Sequence, residues 1–387
     1  MKERMQDTMK KSERISISNN GTTIDHKTSD ENEKEQIKSE TDEIAIKIES
    51  ALEDLNVPGK ITHIKHGPRV SLYAILLARY VSLRDFKNAK EDLAFRLGVN
   101  AVRILAPIPY TPYVGIEVPN KELVSVSFRD ITENPEAKSL LASGLSALLG
   151  RDLSGNLVAC DLKKQGHLLV AGEGKASCLC SVIASIISHT PREQVRFLII
   201  DTTVVELSSF SGISRLCSPI INDYHQAFKA LENIYETINQ RYDLFFKHNV
   251  RDIDGYNQLS QEYMPQIVVL VNDLADLMLI HKSKLDDLVY CITRIGKKAG
   301  IHLLVATSRC SPEVVTSLIK SNISSRVCLK TTSFGSRVIL DTKEANDLMS
   351  NGDMLFLQKD DIYPTRIQGC EITDEEISQI VNNDKLL

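Results

Sequence analysis

Six short runs of aliphatic residues, from residue 167 onward, constrain the fold of this chain more than any other feature. Val, Leu and Ile fill them almost without interruption, and helical segments separate them. Strands that are apolar on both faces are buried on both faces, which is typical of a mainly parallel sheet covered by helices. The runs are HLLVAG (167–172), VRFLIID (195–201), QIVVLVND (266–273), IHLLVAT (301–307), SRVCLKT (325–331) and GDMLFLQ (352–358).

The segment from residue 41 to residue 120 mixes helix and strand signals without regular alternation, which predicts a small α+β domain. Its signals are the helical pattern IAIKIESALEDL, the strand pair ITHIKHGPRVSLYAILL, the helix FKNAKEDLAFRLG and the strands AVRILAPIP and YVGIEVPN. Residues 1–40 are rich in Lys, Glu, Asp, Ser and Asn, so we expect a disordered tail there. Residues 121–387 then form the larger α/β domain, in which YHQAFKALENIYETINQRYDLFFKHN predicts a long helix.

Composition argues against several classes of protein. Lys and Arg total 46 against 51 Asp and Glu, and a net charge of -5 argues against coating nucleic acid by bulk charge. The eight cysteines are scattered, with no CxxC pair and no histidine at zinc-ligand spacing, so we expect no metal site. No run approaches the ~18 apolar residues of a membrane helix, and the start MKERMQDTMKK lacks the apolar core of a secretory signal. We therefore expect a soluble, cytoplasmic protein without a membrane segment.

Several phrases, taken in order, resemble the motor region of the FtsK and SpoIIIE DNA translocases from about residue 41 to the C-terminus. They are GPRVSLY, APIPYTPYVGIEVPN, HLLVAG, VRFLIID, NQRYDLF, VRDIDGYN, IVVLVNDLADLM, AGIHLLVATSR, SRVILD and NGDMLFL. The resemblance implies a small α domain followed by a RecA-like P-loop NTPase domain. It also implies hexameric rings that pull double-stranded DNA through a central pore using ATP, in chromosome partition and cell division. The family's C-terminal winged-helix gamma domain and its membrane segment have no counterpart here, so we expect the motor core alone.

The loop after the first aliphatic run departs from the phosphate-binding pattern GxxxxGK[ST]. In that pattern four spacer residues let backbone N–H groups curl around the phosphates, the lysine reaches the outer phosphates, and the hydroxyl holds Mg²⁺. Here one residue replaces the four, because the loop is Gly172, Glu173, Gly174, Lys175, Ala176 and Ser177. Ala176 lacks the hydroxyl, and Glu173 adds a negative charge. An ungapped alignment would lose the lysine, and Ser177 replaces the hydroxyl only if the helix starts differently.

The acidic motif of the family departs as well. At a strand end the family has Asp-Glu, the first for Mg²⁺ and the second to polarise the attacking water. In VVLVND, Asn272 occupies the metal-side position and Asp273 the general-base position. Asn is neutral and Asp is one methylene shorter than Glu, so we expect impaired catalysis. The competing interpretation, which we favour, is that both residues cap a strand-to-helix turn.

Two further groups of basic residues match family segments. The resemblance implies that Arg326 or Arg337 reaches the nucleotide of a neighbouring subunit. An equally good interpretation is that they are ordinary surface residues or form salt bridges between strands. Arg251, Lys297 and Lys298 are candidates for DNA contact, and solvated helix faces are the alternative. Arg337 is a candidate here too.

Three functions remain open at this point. We favour a pseudo-ATPase motor module that needs no cofactor and forms rings with FtsK-like subunits on non-specific double-stranded DNA. The second is a divergent translocase that still uses ATP and Mg²⁺ through Lys175, Ser177 and Asp273. The third is a scaffold that pairs with other motor subunits and has abandoned DNA.

Overall fold

The computed structural model describes residues 41–142 and 144–386, with the side chains of residues 281 and 386 excepted. The predicted tail, residues 1–40, lies outside the described residues. A first helix, α1, covers residues 41–54 and contains most of the predicted IAIKIESALEDL pattern. In the part of the chain that the structure describes, no helix is both long and apolar enough to span a membrane.

Next in the described chain, four antiparallel strands form a small sheet in the order β1-β2-β4-β3. The strands are β1 (Gly59–His66), β2 (Val70–Leu77), β3 (Arg103–Leu105) and β4 (Val114–Pro119). The single helix predicted from FKNAKEDLAFRLG was wrong, because two helices occur, α2 (Leu83–Asn88) and α3 (Lys90–Leu97). The break lies at Ala89, whose ψ of 0° departs from helical geometry and which caps both helices.

The second sheet contains nine strands in the described residues, in the order β6-β5-β13-β12-β11-β7-β10-β9-β8. The five strands from β11 to β8 are parallel to one another, and the other four extend the sheet with antiparallel pairs. The strands are β5 (Ser146–Asp152), β6 (Leu157–Asp161), β7 (Leu168–Ala171), β8 (Val195–Asp201), β9 (Gln266–Asn272), β10 (Ile301–Thr307), β11 (Ser325–Leu329), β12 (Asp353–Leu357) and β13 (Thr365–Gly369).

Helices cover both faces of this sheet, as the aliphatic runs predicted. Along β7, Leu169 and Ala171 face one apolar core, and Leu168 and Val170 face the other. The first core is covered by α8 and α10, and the second by α7 and α13. The helices are α4 (Phe128–Glu133), α5 (Pro135–Leu141), α6 (Leu162–Gln165), α7 (Lys175–His189), α8 (Tyr224–Lys247), α9 (Ile253–Leu259), α10 (Leu274–Ile295), α11 (Ser317–Asn322), α12 (Ser333–Leu340) and α13 (Asp374–Leu386). The predicted α/β fold class is therefore confirmed.

Strand order reverses beside β7. In open α/β sheets, ligands usually bind at such a reversal. After β7 and α7 the chain continues to β8, which lies beyond β10 and β9, whereas β11 pairs with the other side of β7. The carboxyl ends of β7, β9 and β10 meet at one edge, and a crevice at such a reversal is the usual binding position. The fold thus places the residues after β7 and those at the end of β9 at the same edge.

A buried ion network joins the two sheets. Glu117 on β4 is bonded to Arg103 at 2.8 Å and to Arg366 on β13 at 2.6 Å, and Arg366 also reaches Asp353 on β12 at 2.6 Å. All four side chains are at least nine-tenths buried. Burial raises the pKa of Glu117, but the guanidinium groups of Arg103 and Arg366 outweigh that and hold it below its usual range. From Ile48 onward the described residues pack as one unit that includes both sheets.

Candidate nucleotide site

The turn between β7 and α7 is three residues long. β7 ends at Ala171 and α7 begins at Lys175, with Gly174 as its N-cap in the left-handed region at φ 85°. Gly172 has φ 111°, and a Cβ added to it would lie 2.8 Å from the carbonyl oxygen of Leu329. Only glycine fits that position, because a side chain would collide with the neighbouring backbone. The loop therefore keeps the two glycines of a phosphate-binding turn but has fewer residues between them.

Two backbone N–H groups of this turn are already bonded to the chain itself. The N–H of Gly172 donates to the carbonyl of Thr307 at 3.0 Å, and that of Glu173 donates to the carbonyl of Lys330 at 2.9 Å. In a working loop, successive N–H groups face the phosphates. Here the turn is fastened to the ends of β10 and β11, and these two donors are committed elsewhere.

The lysine of the motif, Lys175, is buried and held by two polar partners. Its side chain is 5% exposed. Nζ lies 2.6 Å from Oε2 of Glu206 and 2.6 Å from Oδ1 of Asn272, with Oδ2 of Asp273 at 3.8 Å. The ammonium group is therefore paired with the protein's own oxygens.

Asn272, at the end of β9, links two carboxylates to this lysine. Its Nδ2 donates to Oδ1 of Asp201 at 3.0 Å and to Oε2 of Glu206 at 2.8 Å. Asp201, at the end of β8, is opposite Asn272 in the strand register, and both are fully buried. An aspartate at this position would have no N–H to donate. We call Lys175, Asp201, Glu206 and Asn272 the Lys175 network.

Asp273 has a separate set of bonds, those of a helix cap. It is the N-cap of α10, and its Oδ1 accepts from the N–H of Ala275 at 3.0 Å. Its Oδ2 accepts from both the N–H and the hydroxyl of Ser308, each at 2.8 Å. The capping interpretation thus describes Asp273, whereas the Asn272 side chain turns into the Lys175 network. A catalytic role for either residue stays a prediction.

The structure brings together only part of the predicted phosphate loop. Lys175 joins the network, Glu173, Gly174 and Ser177 are exposed, and Ala176 is half-buried. Sequence reasoning missed Glu206 as a site residue, and it assigned Asp201 no role. The available signal was their position: Asp201 ends β8 and Glu206 follows it, so both lie at the edge where the carboxyl ends of the parallel strands meet.

The two candidate trans-arginines lie in different environments. Arg326 donates to the carbonyls of Ile323, Ile339 and Lys320 at 3.0, 3.2 and 2.8 Å. Burial lowers the pKa of Arg326, although Asp341 acts in the opposite direction. Arg337, on α12, is exposed. The role of either arginine in a neighbouring subunit stays a prediction.

The DNA-contact candidates lie near the opposite ends of the parallel strands. Lys297 and Lys298 are exposed and come just before β10, and Arg251 is exposed and comes before α9 and β9. Nζ of Lys297 donates to the carbonyl of Lys164 at 2.6 Å. The length of β10 separates these basic residues from the nucleotide edge by roughly 20 Å. DNA contact by them stays a prediction.

Among the residues that the structure describes, no group of three or more His, Cys, Asp or Glu side chains is arranged to hold a metal ion. The eight cysteines are free, and six of them are buried. Burial raises the pKa of both Cys178 and Cys180 to about 12, so both are neutral thiols at pH 7.

A glycine turn between a central parallel strand and a helix, at the point where strand order reverses, is also the arrangement found in the P-loop NTPase fold. The conjugation coupling protein TcpA of pCW3 has this fold, with a TM-score of 0.60 and 18% identity over 88% of this chain and 99% of that one. The cytoplasmic domain of the type VII secretion ATPase EccC from Thermomonospora curvata gives a TM-score of 0.58 and 18% identity, over 67% of this chain and 34% of that one. At these identities the similarity concerns the fold alone.

Sequence comparison identifies the family. Residues 134–312 match the FtsK/SpoIIIE family, and residues 23–120 match the FtsK alpha domain. DNA translocase FtsK of Oceanobacillus iheyensis is 37% identical over 91% of this chain, and that of Staphylococcus aureus Mu50 is 38% identical over 87%. The chain belongs to the FtsK/SpoIIIE family. It spans about half the length of these relatives, 46% and 44%.

Proposed function

We propose that this chain is an FtsK/SpoIIIE-type motor module that does not hydrolyse ATP at its own site. In this account it works as a ring subunit on double-stranded DNA, beside FtsK-like subunits with intact sites. The observation that carries the proposal is the short turn, whose Gly172 and Glu173 N–H groups donate to the carbonyls of Thr307 and Lys330.

The residues present do not fit the triphosphate of ATP. A turn of three residues cannot curl around a phosphate while two of its N–H groups bond to strand ends. Glu173 is exposed at the same turn, so its carboxylate adds negative charge beside the start of α7. Lys175, the remaining phosphate ligand of the motif, is engaged by Glu206 and Asn272.

The residues present do not fit Mg²⁺ either. Ala176 has no hydroxyl, and the amide of Asn272 is neutral and bonded through both its oxygen and its nitrogen. Both carboxylate oxygens of Asp273 accept hydrogen bonds, at the start of α10 and from Ser308. A hard divalent cation requires oxygen ligands that are free to coordinate it.

Ring and DNA functions are proposed from the family and from exposed cations. The relatives are named DNA translocases. Arg337 is exposed on α12 and is our choice of trans-arginine, because Arg326 is bonded to carbonyls of its own chain. Lys298 and Arg251 are exposed at the opposite edge from the nucleotide site and provide charges for phosphate contact.

One observation favours the second function, an active translocase. Lys175 and Asp273 still lie 3.8 Å apart at the correct edge of the sheet, and Ser177 is exposed in the first turn of α7. A phosphate-release assay with Mg·ATP and a long duplex separates the two functions. We expect no turnover above that of a Lys175→Ala variant. DNA-stimulated turnover that Lys175→Ala abolishes would show that the site hydrolyses ATP, and would favour the active translocase over the pseudo-ATPase.

A further inference from the structure

We infer that Glu206 is an internal anion that replaces a phosphate in this site and keeps the site closed. The inference rests on the proposed function and deepens it, because it names the group that excludes nucleotide. The main observation behind it is that one oxygen, Oε2 of Glu206, accepts hydrogen bonds from Nζ of Lys175 at 2.6 Å and from Nδ2 of Asn272 at 2.8 Å.

The position of Glu206 suits this role. The side chain of Glu206 is 34% exposed, whereas those of Lys175 and Asp273 are 5% and 7% exposed, so Glu206 is the acidic partner of Lys175 that solvent reaches. An anion that approaches the lysine from solvent therefore meets a carboxylate first. Hydrogen bonds to ionised groups are stronger than neutral ones, and this carboxylate accepts one from an ammonium group.

The loop that carries Glu206 is fastened on both sides of it. The N–H of Thr202 donates to the carbonyl of Asn272 at 2.7 Å, and the N–H of Leu207 donates to Oδ2 of Asp201 at 3.0 Å. Between them, Val204 has φ 69°, a conformation that costs energy for a β-branched residue. The surrounding contacts therefore hold this loop in a conformation that is unfavourable for a valine at position 204. In that conformation Glu206 contacts Lys175.

The helix start adds a reason why an anion belongs here. The first N–H groups of a helix lack partners within it, and the helix dipole favours negative charge at that end. Lys175, the first residue of α7, adds a formal positive charge. Glu206 supplies the compensating charge from within the chain, which a bound phosphate would supply in a working P-loop.

Asn272 is the matching partner of Glu206. Its amide accepts from Lys175 and donates to two carboxylates, Asp201 and Glu206. An aspartate there would place a further carboxylate against those two, with Lys175 as the nearest cation. The neutral residue at 272 and the acidic residue at 206 therefore depend on each other.

The test is a titration with inorganic pyrophosphate, without magnesium, in which the melting temperature is measured at each concentration. Glu206→Gln removes the charge and keeps the size, and Glu262→Gln makes the same change at an exposed residue away from the network. We expect a saturable rise in melting temperature for Glu206→Gln, with affinity at least about tenfold above that of the unchanged chain and of Glu262→Gln. Glu206→Asp, one methylene shorter, tests the same point with the charge retained, and we expect an intermediate gain.

Three results separate the two levels of the account. A folded Glu206→Gln variant that gains no pyrophosphate binding overturns the role of Glu206 and leaves the pseudo-ATPase proposal standing. Equal binding by the unchanged chain and by Glu206→Gln overturns the inference as well. Mg·ATP turnover by the unchanged chain instead overturns the proposed function itself.

A double-mutant cycle provides a second measurement that needs no ligand. We expect Asn272→Asp to lower the melting temperature of the unchanged chain. In the Glu206→Gln background, Asn272→Asp should lower the melting temperature by a smaller amount, because the amide introduced at position 206 can donate to the new carboxylate. Additive shifts would contradict the dependence of residue 272 on residue 206.

Discussion

Nζ of Lys175 donates to Oδ1 of Asn272 at 2.6 Å, so the first residue of α7 and the last residue of β9 are in direct contact. These two elements carry the phosphate-binding and metal-binding residues of the family motif. In this chain they bind each other, through an ammonium group and a neutral amide. The substitution at 272 and the shortened turn before α7 therefore act on one structural unit.

The first prediction concerns repair of that unit. A full-length GxxxxGKS loop between Gly172 and Ser177, combined with Asn272→Asp, Asp273→Glu and Glu206→Gln, should restore nucleotide binding, because N–H donors, hydroxyl and carboxylates then return together and the competing carboxylate of Glu206 is removed. The loop alone should not restore turnover. Binding of labelled ATP checks the first statement and phosphate release the second. A combined variant that folds and still binds no nucleotide would mean that the pocket walls also differ.

The buried ion network between the sheets predicts a large loss of stability. Glu117→Gln leaves Arg103 and Arg366 without their shared carboxylate, and removing one partner of a buried pair costs about 3–5 kcal/mol. Chemical denaturation measures the free energy of unfolding. Glu122→Gln, an exposed change three residues after β4, should stay within about 0.5 kcal/mol of the unchanged chain. Equal effects of the two variants would contradict the importance of the network.

Two buried histidines predict a loss of stability in mild acid. Burial, reinforced by His302, lowers the pKa of His167 to about 3, and burial lowers that of His302 to about 4. In the unfolded chain each histidine has a pKa of ~6.5, so below that pH the unfolded chain binds more protons than the folded chain. The free energy of unfolding should therefore fall from about pH 6.5 towards pH 4, by at most about 1.4 kcal/mol per pH unit for each histidine.

His167 is the better histidine to substitute. In its neutral form Nε2 donates to the carbonyl of Thr293 at 2.8 Å, and Nδ1 accepts from the N–H of Leu303 at 3.0 Å. Protonation would remove that acceptor. His167→Gln should flatten the pH dependence between pH 6.5 and 5, whereas His63→Gln, at an exposed residue, should leave it unchanged. An identical slope in both variants would contradict this assignment.

DNA binding should be weak, independent of sequence and strongly dependent on salt. Each phosphate contact changes the slope of log affinity against log salt concentration by about 0.9. The Lys297→Ala, Lys298→Ala double variant should reduce that slope for a long duplex. Lys282→Ala, Lys284→Ala changes the charge equally on exposed positions of α10 and is the matched control. Equal slopes for both double variants would contradict DNA contact by Lys297 and Lys298. No binding of the unchanged chain to the duplex at low salt would favour the scaffold that has abandoned DNA.

Much of the fold was predictable because buried parallel strands leave a clear aliphatic signal. The sequence analysis missed β5, β6 and β13, and their residues explain why. Their apolar stretches are short, only ALL in β5, LVAC in β6 and a single Ile in β13. In β13 the buried Arg366 is stable only because Glu117 and Asp353, distant in sequence, surround it. Pairing between segments that far apart leaves no local pattern.

The candidate site was predictable at Lys175 and Asn272, which stand in family motifs. Their contact with Glu206 was not, because it depends on a loop conformation that includes the positive φ of Val204. Propensity gives no reason to expect a valine in that conformation. Likewise, the carbonyls that engage Gly172 and Glu173 belong to β10 and the end of β11, far away in the chain.

Calorimetric titration of Mg·ATP into the unchanged chain tests the central claim, that the short turn and the Lys175 network exclude nucleotide. The account predicts no saturable heat at ligand concentrations where an intact family motor is saturated, in the presence or absence of duplex DNA. Saturable binding that Lys175→Ala removes would contradict it, because Lys175 would then have exchanged Glu206 and Asn272 for a phosphate.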